Sequence, residues 1–316
     1  MKGYLKDKYW IYLDQFAASN MVDCNPVWNE VRIMIIKGAK SGRFICPTPA
    51  EHLIETAGKL NENAIVHHNF LTSLSHGYFF KIEPKIAAQI MISKIRKNNL
   101  TGNTFLSNQI SKDFSYDATL PAFRENREEL KGMIAEVLDY PTLGARGLST
   151  ELQKNMMETH KLLTLGEFCD RLEELIVTKG GIRLLGVEFA TRTVPHWIDL
   201  ILDILLKINK MTIEESKVLL KYLRTSGFEE ISPLDVRTSM TAYSESRGKH
   251  GNSNDQIDIM RIATSIQIAD MLFVDKAKKH ELQDLGLAKK YNTTVFSGIK
   301  ADIENCSQLL DRWLSG

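Results

Sequence analysis

The chain has 316 residues, 43% of them apolar and 25% charged, with a formal net charge of +1. Such a composition belongs to a folded chain and excludes a surface built wholly for nucleic acid, although a local basic groove remains open. The length accommodates two domains, or one domain carrying a large insertion.

The four cysteines (Cys24, Cys46, Cys169, Cys306) are scattered without CxxC spacing. Reduced thiols and a cytoplasmic location are therefore expected. The opening MKGYLKDKYWIYLD lacks a long apolar run, and Trp197 to Ile208 is interrupted by Asp199, Asp203 and Lys207. No membrane association is expected.

Tyr9 to Leu13 is aromatic and β-branched and ends at Asp14. It predicts a buried strand with an acid at its carboxyl end, where α/β sheets place ligands. Pro26 opens a helix through Val27, Val31 and Ile35 that stops near Gly38. Arg43 to Cys46 predicts a second strand. Thr48-Pro49-Ala50-Glu51 then reads as a helix start, with Thr48 as cap, Pro49 at the first helical position and Glu51 as the capping-box acid.

From Asn61 to Arg247 helical patterns dominate, with one short strand signal at Gly186 to Phe189. Thr212 to Glu215 forms a capping-box signature, and Ser232-Pro233 starts another helix. Ser246 to Asn254 reads as a small, polar, basic loop. It leads into a helix whose apolar residues are Ile257, Met260, Ile262, Ala263, Ile266 and Ile268, with Ser253 or Asn254 as cap and Asp255 and Asp258 at its mouth. Met271 to Val274 predicts a buried strand ending on Asp275-Lys276. Ala277 to Leu285 predicts a charged helix, Thr293 to Phe296 a strand, and Ile303 to Leu314 a closing amphipathic helix. Strand–helix alternation at both ends predicts one α/β domain with a parallel sheet, built from residues 1–60 and 248–316, around a mostly α-helical insertion at 61–247.

Taken singly, each acid has a structural use: Asp14 and Asp258 suit helix starts, Glu51 suits a capping box, and Asp275 suits a strand end in water. Jointly they place carboxylates at several positions along what would be one sheet edge. Clustered acids repel unless a cation lies between them, and a hard cation takes carboxylate, water and phosphate oxygens. Lys94, Arg96 and Lys97 form a short basic cluster that also suits a solvated helix face. His52 points away from Glu51 on helical spacing, and His67, His68 and His76 lack partners at zinc spacing. Cys169, Trp28, Trp197 and Trp313 read as packing residues.

The motifs YLDQ at Asp14, TPAEHL at Glu51 and DIMRIATSIQIADMLFVDK from Asp258 to Lys276 resemble the PIN-like nucleases. The resemblance covers residues 8 to 57 and 252 to 298, about a third of the chain, and the interval between Glu51 and Asp258 is longer than in compact members. It implies a PIN-like parallel sheet flanked by helices. It further implies Asp14, Glu51, Asp258 and Asp275 as catalytic acids, with Asp255 and Asp270 as secondary metal ligands. Mg²⁺ or Mn²⁺ would assist phosphodiester hydrolysis. Arg261, Lys276, Arg247, Lys249 and His250 would meet substrate phosphates.

The expected activity is an endonuclease, with RNA favoured over DNA because a single-stranded or looped backbone reaches such a site. By analogy with family members carrying insertions, it would be an effector of a toxin–antitoxin or phage-defence module with an inhibitory or activating protein partner. The alternatives are a degenerate PIN-like adaptor that binds protein or RNA, and a different metal-dependent phosphatase or phosphodiesterase on the same kind of sheet.

Overall fold

The computed structural model describes residues 8–49, 52, 61–108, 148–179, 186–189, 192–248 and 253–316. In chain order, strand β1 (Tyr9–Leu13) is followed by helix α1 (Gln15–Val22), a 3₁₀ turn at Pro26–Trp28, α2 (Asn29–Lys40), β2 (Phe44–Ile45) and β3 (Thr48–Pro49). Next come α3 (Asn61–Ser75), β4 (Phe79–Phe80), α4 (Glu83–Ile95), α5 (Gly102–Phe105) and β5 (Leu106–Ser107). Then follow α6 (Thr150–Val177), β6 (Gly186–Phe189), β7 (Arg192–Pro195), and α7 (Trp197–Asp203) with a π-helical continuation at Ile204–Ile208. The remaining elements are α8 (Ile213–Ser226), α9 (Ser232–Ser246), α10 (Ser253–Ser265), β8 (Met271–Phe273), α11 (Lys276–Asp284), α12 (Leu287–Lys290), β9 (Thr294–Phe296) and α13 (Lys300–Ser315).

Two compact units emerge: Met1–Lys81 with Thr101–Arg127 and Thr264–Gly316, and Ile82–Leu100 with Glu128–Ala263. The boundary thus falls at Ile82 rather than Asn61, because α3 packs on α1 and α2. A second change of unit falls inside α10, between Ala263 and Thr264.

The first unit is mixed α/β. Its four-stranded sheet has the order β2-β1-β8-β9, and every neighbouring pair is parallel. Trp10 to Leu13 and Met271 to Phe273 are all buried, as a parallel sheet covered on its faces requires. Ile11, Leu13, Phe44, Met271, Phe273 and Phe296 face a core completed by Met21, Val31, Ile35, Ile303, Cys306 and Leu310 from α1, α2 and α13. On the opposite face Trp10 meets Tyr78 edge-on and Tyr12 meets Phe80. At Gly38, inside α2, a Cβ would lie 2.0 Å from the Phe44 ring. Only glycine therefore lets α2 sit this close to β2.

Several local expectations are corrected here. Thr48 and Pro49 are not a helix start: they pair in parallel with Phe79 and Phe80, and Phe79–Phe80 pairs antiparallel with Leu106–Ser107. Proline is tolerated at such a short strand because the ladder asks little of its missing N–H. Helix α1 had no apolar stripe to announce it; Asp14 as cap and the small residues Ala17 and Ala18 against the core explain it. The helix expected from Pro26 divides into a 3₁₀ turn and α2, and α13 begins three residues before Ile303.

Among the described residues, the second unit is helical apart from an antiparallel β6–β7 hairpin. The capping box of α8 forms as its spacing predicts: the Thr212 hydroxyl accepts from the Glu215 amide at 3.1 Å, and the Glu215 carboxylate accepts from the Thr212 amide at 2.8 Å. Helix α9 is buried along its whole length although many of its residues are polar. Its guanidinium at Arg237 donates to Glu83 at 2.7 Å and lies 4.7 Å over the Trp197 ring. Arg171 bridges Asp199 and Glu167, each at 2.7 Å. Among the described residues, no helix is long and apolar enough to cross a membrane.

Candidate functional site

Parallel strands bring their carboxyl ends to one edge, so the sheet order decides which side chains gather there. The chain leaves β1 for β2 on one side and returns to β1's other side with β8. The crevice between β1 and β8 is therefore the topological switch point, the place where open α/β sheets bind ligands. Asp14 follows β1 and Asp275 follows β8, two residues past Phe273.

Register refines this placement. Leu13 pairs with Phe273, and the Asp14 amide donates to the Phe273 carbonyl at 3.2 Å. Asp14 thus stands beside Val274. With strands about 4.8 Å apart and a rise of about 3.3 Å per residue, the Asp14 and Asp275 Cα atoms lie on the order of 6 Å apart.

Each acid is extended in backbone and caps the next helix. Asp14 Oδ1 accepts from the Gln15 amide at 2.8 Å and from the Tyr12 hydroxyl at 3.3 Å. Asp275 Oδ1 accepts from the Lys278 amide at 2.8 Å. Both carboxylates are half-buried, so each is held by its own chain yet reaches solvent. His52, next in sequence to Glu51, is buried with its ring centroid 6.1 Å from that of Tyr12. Glu51 and Lys249 themselves lie outside the described residues, as does His250.

Asp270 belongs elsewhere. Its Oδ2 accepts from the Trp10 amide at 2.9 Å, and its own amide donates to the Trp10 carbonyl at 2.7 Å. It therefore enters β8 opposite Trp10, four residues before Asp14 along β1, about 13 Å away at strand rise. A ligand role shared with Asp14 is ruled out by that separation: the two acids sit at opposite edges of one sheet.

In the helical unit, Asp255 lies in the first turn of α10 and Asp258 one turn further in; Ser253, taken as a cap, is already helical. Asp258 is 3.5 Å from Arg261, whose side chain is 0% exposed. A guanidinium so buried and so paired does not present itself to a substrate phosphate, which corrects that expectation. Arg247 folds onto its own helix, 3.4 Å from the Tyr243 ring centroid and hydrogen-bonded to the Tyr243 carbonyl at 3.4 Å and Ser246 Oγ at 3.3 Å. The Lys94–Arg96–Lys97 cluster is largely neutralised, Lys94 by Glu230 and Arg96 by Glu215. Among the described residues, Lys276 alone of the expected phosphate contacts is exposed beside an edge acid.

A feature without a clear sequence signal completes the edge. Asp302, in the first turn of α13, accepts from the Ser297 amide at 2.7 Å and the Ser297 hydroxyl at 2.6 Å, while Lys279 Nζ meets both its oxygens at 2.6 Å. Burial pushes this carboxyl up, but the bonds from Lys279 and Ser297 outweigh it and hold it below the usual carboxylate range. Reading α13 from Ile303 hid Asp302; an acid three residues past Ile299 was the available signal.

Carboxylate oxygens are the donors hard divalent cations take, and Mg²⁺ is commonly held by one or two of them with waters and substrate oxygens. Asp14 and Asp275 fit that donor chemistry. Among the described residues no three His, Cys, Asp or Glu side chains form a metal-holding group. Comparison of the chain with family models, with curated proteins and with solved structures finds no match.

Proposed function

We propose that this protein is a divalent-metal-dependent phosphodiesterase of PIN-like type that cleaves RNA at the crevice beyond β1 and β8. One observation carries the reading: the two strands that flank the switch point both end on a carboxylate, Asp14 and Asp275, and the sheet brings them side by side. Asp14 and Asp275 would hold the cation, with Glu51 as a further acid that the family resemblance adds. The cation, when bound, supplies a water acidified towards neutrality and stabilisation of charge on the phosphate oxygens. The chain's own contribution is orientation. Backbone amides at Gln15 and Lys278 fix one oxygen of each acid, and the exposed Lys276 offers a cation to a flanking phosphate. An RNA-directed effector role in a toxin–antitoxin or phage-defence setting, with a regulatory protein partner, extends this reading by analogy.

Asp14→Asn is the decisive variant, because asparagine caps a helix as well as aspartate but carries no charge. Cleavage of a single-stranded RNA in Mn²⁺ should disappear in the variant, and in the wild type under EDTA, with the fold intact by circular dichroism. Cleavage at the wild-type rate by a folded Asp14→Asn protein would end the proposal.

The adaptor reading has one observation in its favour: helix capping already gives both acids a structural use. It expects Asp14→Asn to leave every biological activity unchanged. Nucleotide esters offered beside oligonucleotides distinguish a phosphatase on the same sheet.

A further inference from the structure

Two chain segments leave the carboxyl edge of the sheet, one after β8 into α11 and one after β9 into α13, and one carboxylate ties them together. Ser297 is the residue after β9, Lys279 is in the second turn of α11, and Asp302 is in the first turn of α13. Asp302 takes both Ser297 donors and the Lys279 ammonium at 2.6 to 2.7 Å. Its own side chain is 8% exposed and that of Lys279 17%, so the pair is shielded from solvent far better than an ordinary surface bridge.

Helix α11 is the element that carries Asp275. The Lys279 amide donates to the Asp275 carbonyl at 3.0 Å, and the Lys278 amide to the Asp275 carboxylate at 2.8 Å. Lys279 therefore stands one helical turn from the edge acid, on the same short helix. β9 holds the backbone just before Asp275, since the Val274 amide donates to the Phe296 carbonyl at 3.0 Å. The Lys279–Asp302 tie fastens the first turns of α11 to the start of α13 and to Ser297. The sequence around Ser297 permits close approach: a Cβ on Gly298 would meet the Phe16 ring at 3.2 Å.

From this geometry we infer that Asp302 is a positioning residue for Asp275, acting through Lys279, and that Lys279 is a strut and not a contact for substrate phosphate. The inference rests on the phosphodiesterase reading, because it concerns the cation affinity of that site. Residues that orient a ligand from behind typically govern metal affinity by about 10- to 100-fold.

The test is Mn²⁺ binding to the full chain by isothermal titration calorimetry, without substrate. Asp302→Asn keeps an acceptor for Ser297 but removes the charge that holds Lys279; Lys279→Gln removes the other half at its more exposed end, and Lys279→Arg keeps it. The expected result is Mn²⁺ binding weakened about 10-fold in Asp302→Asn and Lys279→Gln, and restored by Lys279→Arg. Gly38→Ala, which strains the same unit at a distance from the tie, should retain wild-type affinity. Unchanged Mn²⁺ affinity in either folded variant, or an equal loss in Gly38→Ala, would overturn the positioning role and leave the phosphodiesterase reading standing. A wild-type chain that binds no Mn²⁺ would remove both.

Discussion

Asp14 and Asp275 cap the helices that follow two neighbouring parallel strands, each accepting with one carboxylate oxygen from a backbone amide at 2.8 Å. Their joint position follows from strand order and register, because both lie just past the Leu13–Phe273 pair that closes the β1–β8 ladder. The capping bond itself makes stability and chemistry separable at these residues.

Asp14→Ala should cost about 1 kcal/mol of stability, the usual loss for an N-cap, whereas Asp14→Asn should cost almost none. Urea denaturation of the two variants beside the wild type measures the difference. Equal losses would mean that the cap bond contributes nothing.

Gly38→Ala should destabilise the sheet unit by about 1–3 kcal/mol, because its methyl group would enter the space of the Phe44 ring, 2.0 Å from the nearest atom. A lowered denaturation midpoint with unchanged slope is the expected signature. An unshifted midpoint would show that α2 moves away from β2 at no cost.

The buried Arg237–Glu83 pair should behave asymmetrically. Arg237→Met leaves a buried carboxylate without its 2.7 Å partner and should cost about 3–5 kcal/mol. Adding Glu83→Gln removes the stranded charge, so the double variant should be more stable than Arg237→Met alone. Strict additivity in a double-mutant cycle would deny the coupling.

Acid should weaken the helical unit before the carboxylates titrate. Burial, and then the charges of Arg171 and Arg237, lower the His196 pKa to about 4. Between that value and the ordinary histidine pKa of about 6.5 the unfolded chain binds a proton that the folded chain refuses. His196 therefore contributes stability that is complete above about pH 6.5 and lost as pH falls towards about 4. His196→Asn keeps a helix cap for α7 and should flatten thermal midpoints across this window. Burial lowers the His160 pKa too, so a smaller slope should remain. An identical pH profile in the variant would refute the assignment.

Much of the sheet was legible because its strands are short runs of adjacent apolar residues, two of them, β1 and β8, followed by carboxylates. Tyr9–Leu13, Met271–Phe273 and Thr294–Phe296 all form close to where their composition puts them. The short ladders at Thr48–Pro49, Phe79–Phe80 and Leu106–Ser107 were not legible, since two residues hold no period and the pairing partner supplies the strand. Asp270 shows the same limit. Its sequence neighbourhood matches that of Asp275, yet its bond to the Trp10 amide ties it to the far edge.

Local chemistry alone thus determined the capping box at Thr212, the buried strands, and the acids Asp14 and Asp275 that end two of them. Tertiary structure decided which strands became neighbours, that Arg261 is enclosed beside Asp258, and that Lys279 is spent on Asp302. The physical reason is range. Caps and strand runs depend on residues a few positions apart, whereas β1 meets β8 only after more than half the chain has intervened, and no local pattern encodes which charges then come face to face.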